Sequence, residues 1–126
     1  MVNGKRIGKL GAEVSSISNR VVVDVDASLG GDGAGMDPHR LLEASLAACT
    51  IITLQMYANL KKLDLKDVEV SVDIDKEGDE SHINRKIKLI GYLTEDQRKR
   101  LIEIANRCPL HRMLSHQIKI ETSELY

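Results

Sequence analysis

The feature that most constrains this chain is a long apolar segment in its middle, from Pro38 to about Lys62. Asp37 followed by proline is a typical helix start, because aspartate caps the first N–H groups and proline is tolerated at the first helical position. The apolar residues that follow are not confined to one stripe: Leu41, Leu42, Leu46, Ala47, Ala48, Ile51, Ile52, Leu54 and Met56. A helix that is apolar nearly all round must be covered on nearly every side. One chain with few strands could not easily supply that cover, so the simplest prediction is a dimer with this helix at its centre.

Length and composition set the broad class. The 126 residues predict a single domain, residues 1–126, and a hydrophobic content of 42% is enough for a core. The formal net charge is −1, whereas nucleic-acid binders usually carry a basic face. Three Tyr and no Phe or Trp leave few platforms on which bases could stack. We therefore expect no nucleic-acid partner.

The chain carries no pattern typical of export or of membrane insertion. Its first residues, MVNGKRIGKLGAEV, are polar and contain no apolar run of signal-peptide length. The uncharged stretch 44–60 is interrupted by five polar residues, which favours a buried helix over a membrane span. We therefore expect a cytoplasmic protein without a membrane partner, where a stable structural disulfide would be unusual. The two cysteines are then core residues, metal ligands or a redox pair.

Sequence periodicity predicts strands before and after the long helix. The predicted strands are Arg6–Leu10, Glu13–Ser18, Val21–Ala27, Val68–Ile74, Asn84–Leu93 and Gln117–Thr122. A hairpin turn is predicted at Asn19-Arg20. Thr94 is an N-cap for a helix that ends near Cys108, and a short helix from Pro109 to about Ser115 follows. This order predicts an α+β fold with antiparallel sheet.

The two cysteines lie in different local settings. Cys49 is in the middle of the long helix, where the helix dipole does not lower a thiol pKa and a buried apolar role is common. Cys108 precedes Pro109 and so occupies an N-cap position, where free N–H groups stabilise a thiolate. Arg112 and His111 would add positive charge there. Local electrostatics alone therefore predicts Cys108 to be the more acidic thiol.

Two other patterns suggest ligand sites less strongly. Cys108 and His111 have C-x-x-H spacing, which Cys49, His39 or His116 could complete as a zinc site, but zinc sites usually show paired ligands at both ends. The loop Leu29–Asp37 contains GGDGAG, which lacks the lysine of a phosphate-binding loop. We interpret it as a flexible connector between strand and helix.

Two segments of the chain form a recognisable pair: NRVVVDVDASLGGDGAGMDPHRLLEASLAACTIITLQMY, residues 19–57, and IANRCPLHRML, residues 104–114. Together they resemble the family of osmotically inducible protein C and organic hydroperoxide resistance protein (OsmC/Ohr). The resemblance implies an α+β fold in which antiparallel sheets wrap around long central helices of an intertwined homodimer. It also implies reduction of organic hydroperoxides without a cofactor, with Cys49 as the peroxidatic and Cys108 as the resolving residue. An external dithiol would reopen the resulting disulfide.

The same resemblance implies an arginine that activates the peroxidatic thiolate and a glutamate, just after the helix proline, that pairs with it. Here His39 and Arg40 follow that proline. Arg20 is the nearest candidate among the N-terminal strands. Arg40 is nine residues before Cys49, roughly opposite it on the same helix, and would have to act across the dimer. The glutamate that the resemblance implies is missing after Pro38. A second interpretation therefore stays open: a non-catalytic protein of the same fold that binds a small ligand.

Overall fold

The computed structural model describes residues 1–125 in two compact units, Met1–Ala44 and the part from Ser45 onward. The first unit holds a three-stranded antiparallel sheet with strands in sequence order: β1 (Asn3–Ile7), β2 (Gly11–Ser16) and β3 (Asn19–Val23). The predicted turn at Asn19-Arg20 is wrong, because Ser16 pairs with Asn19 and the turn is at residues 17–18. The β2–β3 register pairs Val14 with Val21, and this valine pairing outweighs the preference of asparagine for turns.

The loop after β3 is built around one carboxylate. Asp24 is buried and accepts hydrogen bonds from the backbone N–H groups of Val25, Asp32 and Ala34 at 2.8, 3.2 and 3.1 Å. The hydrogen bond from Ala34, followed by that from Val25, holds the pKa of Asp24 below its usual range. At Gly31 a Cβ atom would lie 2.2 Å from the carbonyl oxygen of Val25, so only glycine fits. The connector is therefore folded about Asp24 rather than simply flexible.

The long helix α1 (Pro38–Lys61) begins where the sequence predicts. The Asp37 carboxylate accepts the N–H of Arg40 at 2.9 Å, which confirms the predicted cap. By length and composition the helix could cross a bilayer, a test that core helices also pass. Its face with Leu54 and Ala58 is fully buried, whereas a stripe at four-residue spacing is exposed: Ile52 (58%), Met56 (67%) and Leu60 (76%). The single chain therefore leaves one apolar face of the helix uncovered.

The second unit contains a hairpin and two short helices, and its core includes the C-terminal half of α1. Strands β4 (Asp64–Lys76) and β5 (His82–Tyr92) pair antiparallel, and α2 (Glu95–Ala105) and α3 (Pro109–Leu114) follow. Thr94 is the N-cap of α2, as its sequence predicts, and the structure adds a reciprocal capping box with Gln97. The buried core draws on α1, β4 and α2: Leu54, Ala58, Leu65, Val68, Leu101, Ile104 and Ala105.

The predicted last strand, Gln117–Thr122, is wrong. Residues 117–125 have no regular structure, and both Ile118 and Ile120 are exposed. An alternating sequence becomes a strand only where another strand completes its hydrogen bonds. Within residues 1–125 no strand pairs with this segment.

Leu101 tests whether the core of the second unit carries its stability. We expect Leu101→Ala to lower the free energy of unfolding by about 2–5 kcal/mol, because it leaves a cavity among fully buried side chains. Urea unfolding followed by circular dichroism measures the change. Ile102→Ala, on the same helix but 43% exposed, should cost clearly less. Equal costs for the two variants would contradict this assignment of the core.

Candidate active site

The two cysteines, 59 residues apart in sequence, meet in the second unit. Cys108 donates its S–H to the Cys49 sulfur, and the two sulfur atoms are 2.9 Å apart. Cys108 is fully buried, whereas Cys49 is only partly buried, and both are free thiols. A disulfide needs about 2.05 Å between the sulfurs, so small side-chain movements would suffice to close the bond.

The chain around Cys108 fixes one half of this pair. Cys108 is the N-cap of α3 with an extended backbone (φ −55°, ψ 134°), as expected before Pro109. Its sulfur accepts the N–H of His111 at 3.4 Å. The predicted N-cap is thus confirmed, and it holds the thiol at the junction between α2 and α3.

Four groups act on the Cys49 sulfur to favour its thiolate. Burial by itself raises the pKa of Cys49, but hydrogen bonds from the Cys108 thiol, the Leu110 N–H and the Thr53 hydroxyl oppose this effect. The charge of Arg85 acts in the same direction, and the pKa of Cys49 falls below its ordinary value. Cys49 is therefore both the more accessible and the more acidic thiol.

The expectation from local electrostatics, that Cys108 is the more acidic, is wrong. Burial raises the pKa of Cys108, and so does the hydrogen bond that its thiol donates to Cys49. The N–H group of Leu110, at the start of α3, also serves Cys49. Sequence-local reasoning assigned the N-terminal N–H groups of α3 to Cys108 alone and could not foresee that sharing.

The guanidinium group that acts on both sulfurs belongs to Arg85 on β5, which sequence patterns did not single out. Arg85 donates from Nη1 to the Thr50 hydroxyl at 3.1 Å, and from Nη2 to Asn106 Oδ1 and His111 Nδ1, each at 3.0 Å. A signal was present in the sequence. Arg85 has the same register on β5 as the inward-facing Ile87, so it is a charged residue at an apolar position.

All three groups that hold Arg85 are neutral. The Thr50 side chain is fully buried and donates its own O–H to the Leu46 carbonyl oxygen at 2.7 Å. A guanidinium group cannot accept a hydrogen bond, so Nδ1 of His111 must be the acceptor and the imidazole must be neutral. Burial, followed by the charge of Arg85, lowers the pKa of His111. The expectation that His111 adds positive charge is therefore wrong, and the fixed cation is Arg85.

A cavity of about 290 Å³ opens beside this cluster. It combines aliphatic and polar side chains: Leu46, Ile83 and Leu114 with Ser81, His82, Arg85, His111 and Ser115. Among residues 1–125, none of those that line the cavity carries a carboxylate. A small molecule with an apolar body and a polar end fits such a lining.

The two arginines chosen from the sequence lie in the first unit, each beside a carboxylate. Arg20 on β3 is 4.0 Å from Glu13, and its side chain is largely exposed. Arg40, in the first turn of α1, is paired with Glu43. An action of Arg20 or Arg40 on Cys49 stays a prediction.

Across residues 1–125 the structure gathers no set of three or more His, Cys, Asp or Glu side chains that could hold a metal ion. The Nδ1 atom of His111 is instead bonded to Arg85.

The comparisons with known proteins agree on one family. The model of the OsmC-like protein family matches residues 30–123. An OsmC-like protein from Mycoplasma pneumoniae has the same fold, with a TM-score of 0.79 at 19% identity, covering 91% of this chain and 86% of that chain. An organic hydroperoxide resistance protein from Legionella pneumophila gives 0.69 at 20% identity (90% and 87% covered). OhrB of Bacillus subtilis, also an organic hydroperoxide resistance protein, gives 0.58 at 18% identity (90% and 87% covered). No curated protein is a significant match. The expected α+β fold with antiparallel sheets and a long central helix is confirmed.

The protonation of His111 tests the geometry of the cluster. We expect its ring to titrate below the reference value of 6.5, and we expect Arg85→Met to raise that pKa because the nearby positive charge is gone. Histidine ring resonances followed by NMR across pH measure both values. Lys86→Met is the matched control: it removes a charge from the same strand, on the opposite face. An unchanged pKa of His111 in Arg85→Met would contradict the contact between the two side chains.

Proposed function

We propose a peroxide-reducing function for this chain, which belongs to the OsmC-like protein family. The observation that carries the proposal is the pair of sulfurs 2.9 Å apart, one accessible and acidified, the other buried and protonated. Two solved relatives of the same fold are organic hydroperoxide resistance proteins. The proposed substrates are organic hydroperoxides, and the proposed reductant is an external dithiol.

In the first step the Cys49 thiolate attacks the terminal oxygen of the hydroperoxide. The O–O bond breaks, Cys49 becomes a sulfenic acid, and the alkoxide takes up a proton and leaves as the alcohol. Arg85 holds a positive charge beside this reaction. In our proposal it stabilises the thiolate before attack and the negative charge that develops on the leaving oxygen. This is the role for which the sequence suggested Arg20 and Arg40.

In the second step Cys108 resolves the sulfenic acid. Its sulfur bonds to the Cys49 sulfur, and the sulfenic hydroxyl leaves with the Cys108 proton as water. The hydrogen bond from Cys108 to Cys49 already brings the two sulfurs together for this step. The sum is one hydroperoxide and two thiols converted to one alcohol, one water and one disulfide, which the external dithiol then reduces.

The cavity beside Arg85 is the proposed site for the organic group of the peroxide. Leu46, Ile83 and Leu114 offer it an apolar wall, and Arg85 and His111 connect the cavity to the cysteine cluster. An alkyl hydroperoxide gains from the apolar wall, whereas hydrogen peroxide has no group to place there. We therefore propose that alkyl hydroperoxides are preferred.

The proposed assembly is a homodimer that covers the exposed stripe of α1, defined by Ile52, Met56 and Leu60. Exposed aliphatic residues in a continuous row are typical of an interface. At 100° per residue, Cys49 and Met56 are only about 20° apart around the helix. A second copy packed on the stripe would therefore also lie beside Cys49.

Cysteine variants test the peroxide chemistry. One equivalent of cumene hydroperoxide should consume both thiols of the reduced protein and join Cys49 to Cys108, as read by thiol titration and mass spectrometry. Cys49→Ser should abolish peroxide consumption, whereas Cys108→Ser should leave a sulfenic acid on Cys49 that dimedone traps. If both thiols stay titratable after stoichiometric peroxide, the proposed function is wrong.

A charged substitution in the stripe tests the dimer. Met56→Glu should convert a dimer into a monomer, because a carboxylate cannot be buried unpaired in an apolar interface. Light scattering coupled to size-exclusion chromatography gives the mass. Ile102→Glu is the matched control, since it adds the same charge at an exposed aliphatic position on α2. A wild-type monomer, or a Met56→Glu dimer, would rule out this interface.

A further inference from the structure

The two nitrogen atoms of the His111 ring have different surroundings. Nδ1 accepts a hydrogen bond from Arg85 Nη2 at 3.0 Å, so the proton of the neutral imidazole is on Nε2. In the part of the chain that the structure describes, Nε2 has no hydrogen-bond partner. The same residues contain no buried side-chain nitrogen or oxygen without a partner, so Nε2 is accessible. The ring of His111 therefore carries one unused N–H donor.

This donor belongs to a residue that lines the cavity proposed for the organic group of the peroxide. The oxygen that leaves in the first step is the one bonded to that organic group, so it lies on the cavity side of the O–O bond. Both N–H groups of Arg85 Nη2 are already used by Asn106 and His111. A second donor in the cavity wall therefore has a defined task, which is to bind the leaving oxygen.

The backbone and the ring of His111 are both held in place. The backbone N–H binds the Cys108 sulfur at 3.4 Å, and the carbonyl oxygen accepts the N–H and the hydroxyl of Ser115 at 3.0 and 2.7 Å. Arg85 fixes the ring through Nδ1. A donor that is fixed before the reaction needs no reorganisation when negative charge develops on an oxygen, which makes it effective in stabilising that charge.

We infer that His111 is a catalytic residue of the peroxide step, with its Nε2–H donating a hydrogen bond to the leaving oxygen. The Cys49 thiolate bonds to the terminal oxygen, the O–O bond breaks, and its electron pair goes to the oxygen that carries the organic group. His111 stabilises the alkoxide, which takes a proton from water and leaves as the alcohol. The imidazole stays neutral, as an electrophilic histidine can. Burial and the charge of Arg85, which lower the pKa of His111, favour this neutral form.

This inference rests on the first step of the proposed function and assigns a further residue to it. The two fail in different ways. A protein that leaves peroxides unreacted would contradict the proposed function, whereas a peroxidase whose rate does not depend on His111 would contradict only the inference. The position of the ring proton and the binding of an alcohol can be measured without any peroxide.

The position of the ring proton gives a first test on the wild-type protein. Histidine nitrogen resonances followed by NMR distinguish the two neutral forms of the ring from each other and from the cation. At neutral pH we expect His111 to be neutral, with its proton on Nε2. A proton on Nδ1, or a cationic ring at neutral pH, would overturn the inference.

His111→Asn tests the donor in the reaction. Asparagine keeps an acceptor, Oδ1, in the place of Nδ1, but it has no N–H where Nε2 lies. We expect the second-order rate constant with cumene hydroperoxide to fall about a hundredfold. Alkylation of Cys49 by iodoacetamide needs the thiolate but has no leaving oxygen, so it should stay within about threefold of wild type.

His116→Asn is the matched control, because His116 is an exposed histidine outside the cavity lining. It should leave the rates of both reactions unchanged. An unchanged peroxide rate in His111→Asn would overturn the inference. Equal slowing of both reactions would also overturn it, because it would show that His111 acts only through the thiolate.

Binding of the product alcohol tests the same hydrogen bond without peroxide chemistry. Cumyl alcohol, the product from cumene hydroperoxide, carries its oxygen where the leaving oxygen would be. Added to the reduced wild-type protein, it should shift the NMR resonance of His111 Nε2. His111→Asn should bind the alcohol about fivefold to tenfold more weakly, the effect of one lost hydrogen bond. Absence of the shift up to the solubility limit of the alcohol, or equal affinity of the two proteins, would overturn the inference.

Discussion

The hydrogen bonds of Arg85 join the elements that bring the two sulfurs together. The side chain extends from β5 and binds Thr50 on α1, Asn106 at the end of α2 and His111 on α3. Thr50 is the neighbour of Cys49 in sequence, and the N–H of His111 binds the Cys108 sulfur. One guanidinium group thus links both cysteine-bearing segments to the hairpin. The same group that sets the charge at the sulfurs also helps to fix their positions.

Sequence reasoning found the features that depend on neighbours in the chain. The start of α1 at Pro38 and the N-cap roles of Thr94 and Cys108 all follow from local hydrogen bonding, and the structure confirms them. It failed where partners distant in sequence decide. The segment 117–122 alternates like a strand but finds no strand to pair with in the described chain. The β2–β3 turn is set by register rather than by the preference of asparagine for turns.

The pairing of the two cysteines and the position of the activating arginine also depend on residues that are distant in sequence. The pairing of Cys49 with Cys108 came from family resemblance, since nothing in a separation of 59 residues places two sulfurs 2.9 Å apart. Their relative acidity was misjudged, because Leu110 and Arg85 act on Cys49 from other elements. Arg85 was visible only as a charge at an inward position of β5. An arginine at such a position, on a strand otherwise patterned for the core, is a signal worth following in related chains.

The neutral partners of Arg85 orient its guanidinium group without neutralising its charge. The residues that acidify Cys49 and those that hold Arg85 all lie in the unit from Ser45 onward. A carboxylate partner would hold Arg85 more firmly, but it would cancel the charge on which the thiolate depends. Three neutral acceptors fix the guanidinium group and leave its charge for the sulfur. The three partners therefore set the orientation of the guanidinium group, while Arg85 itself supplies the charge. Substitutions at Thr50, Asn106 or His111 can change that orientation without removing the positive charge.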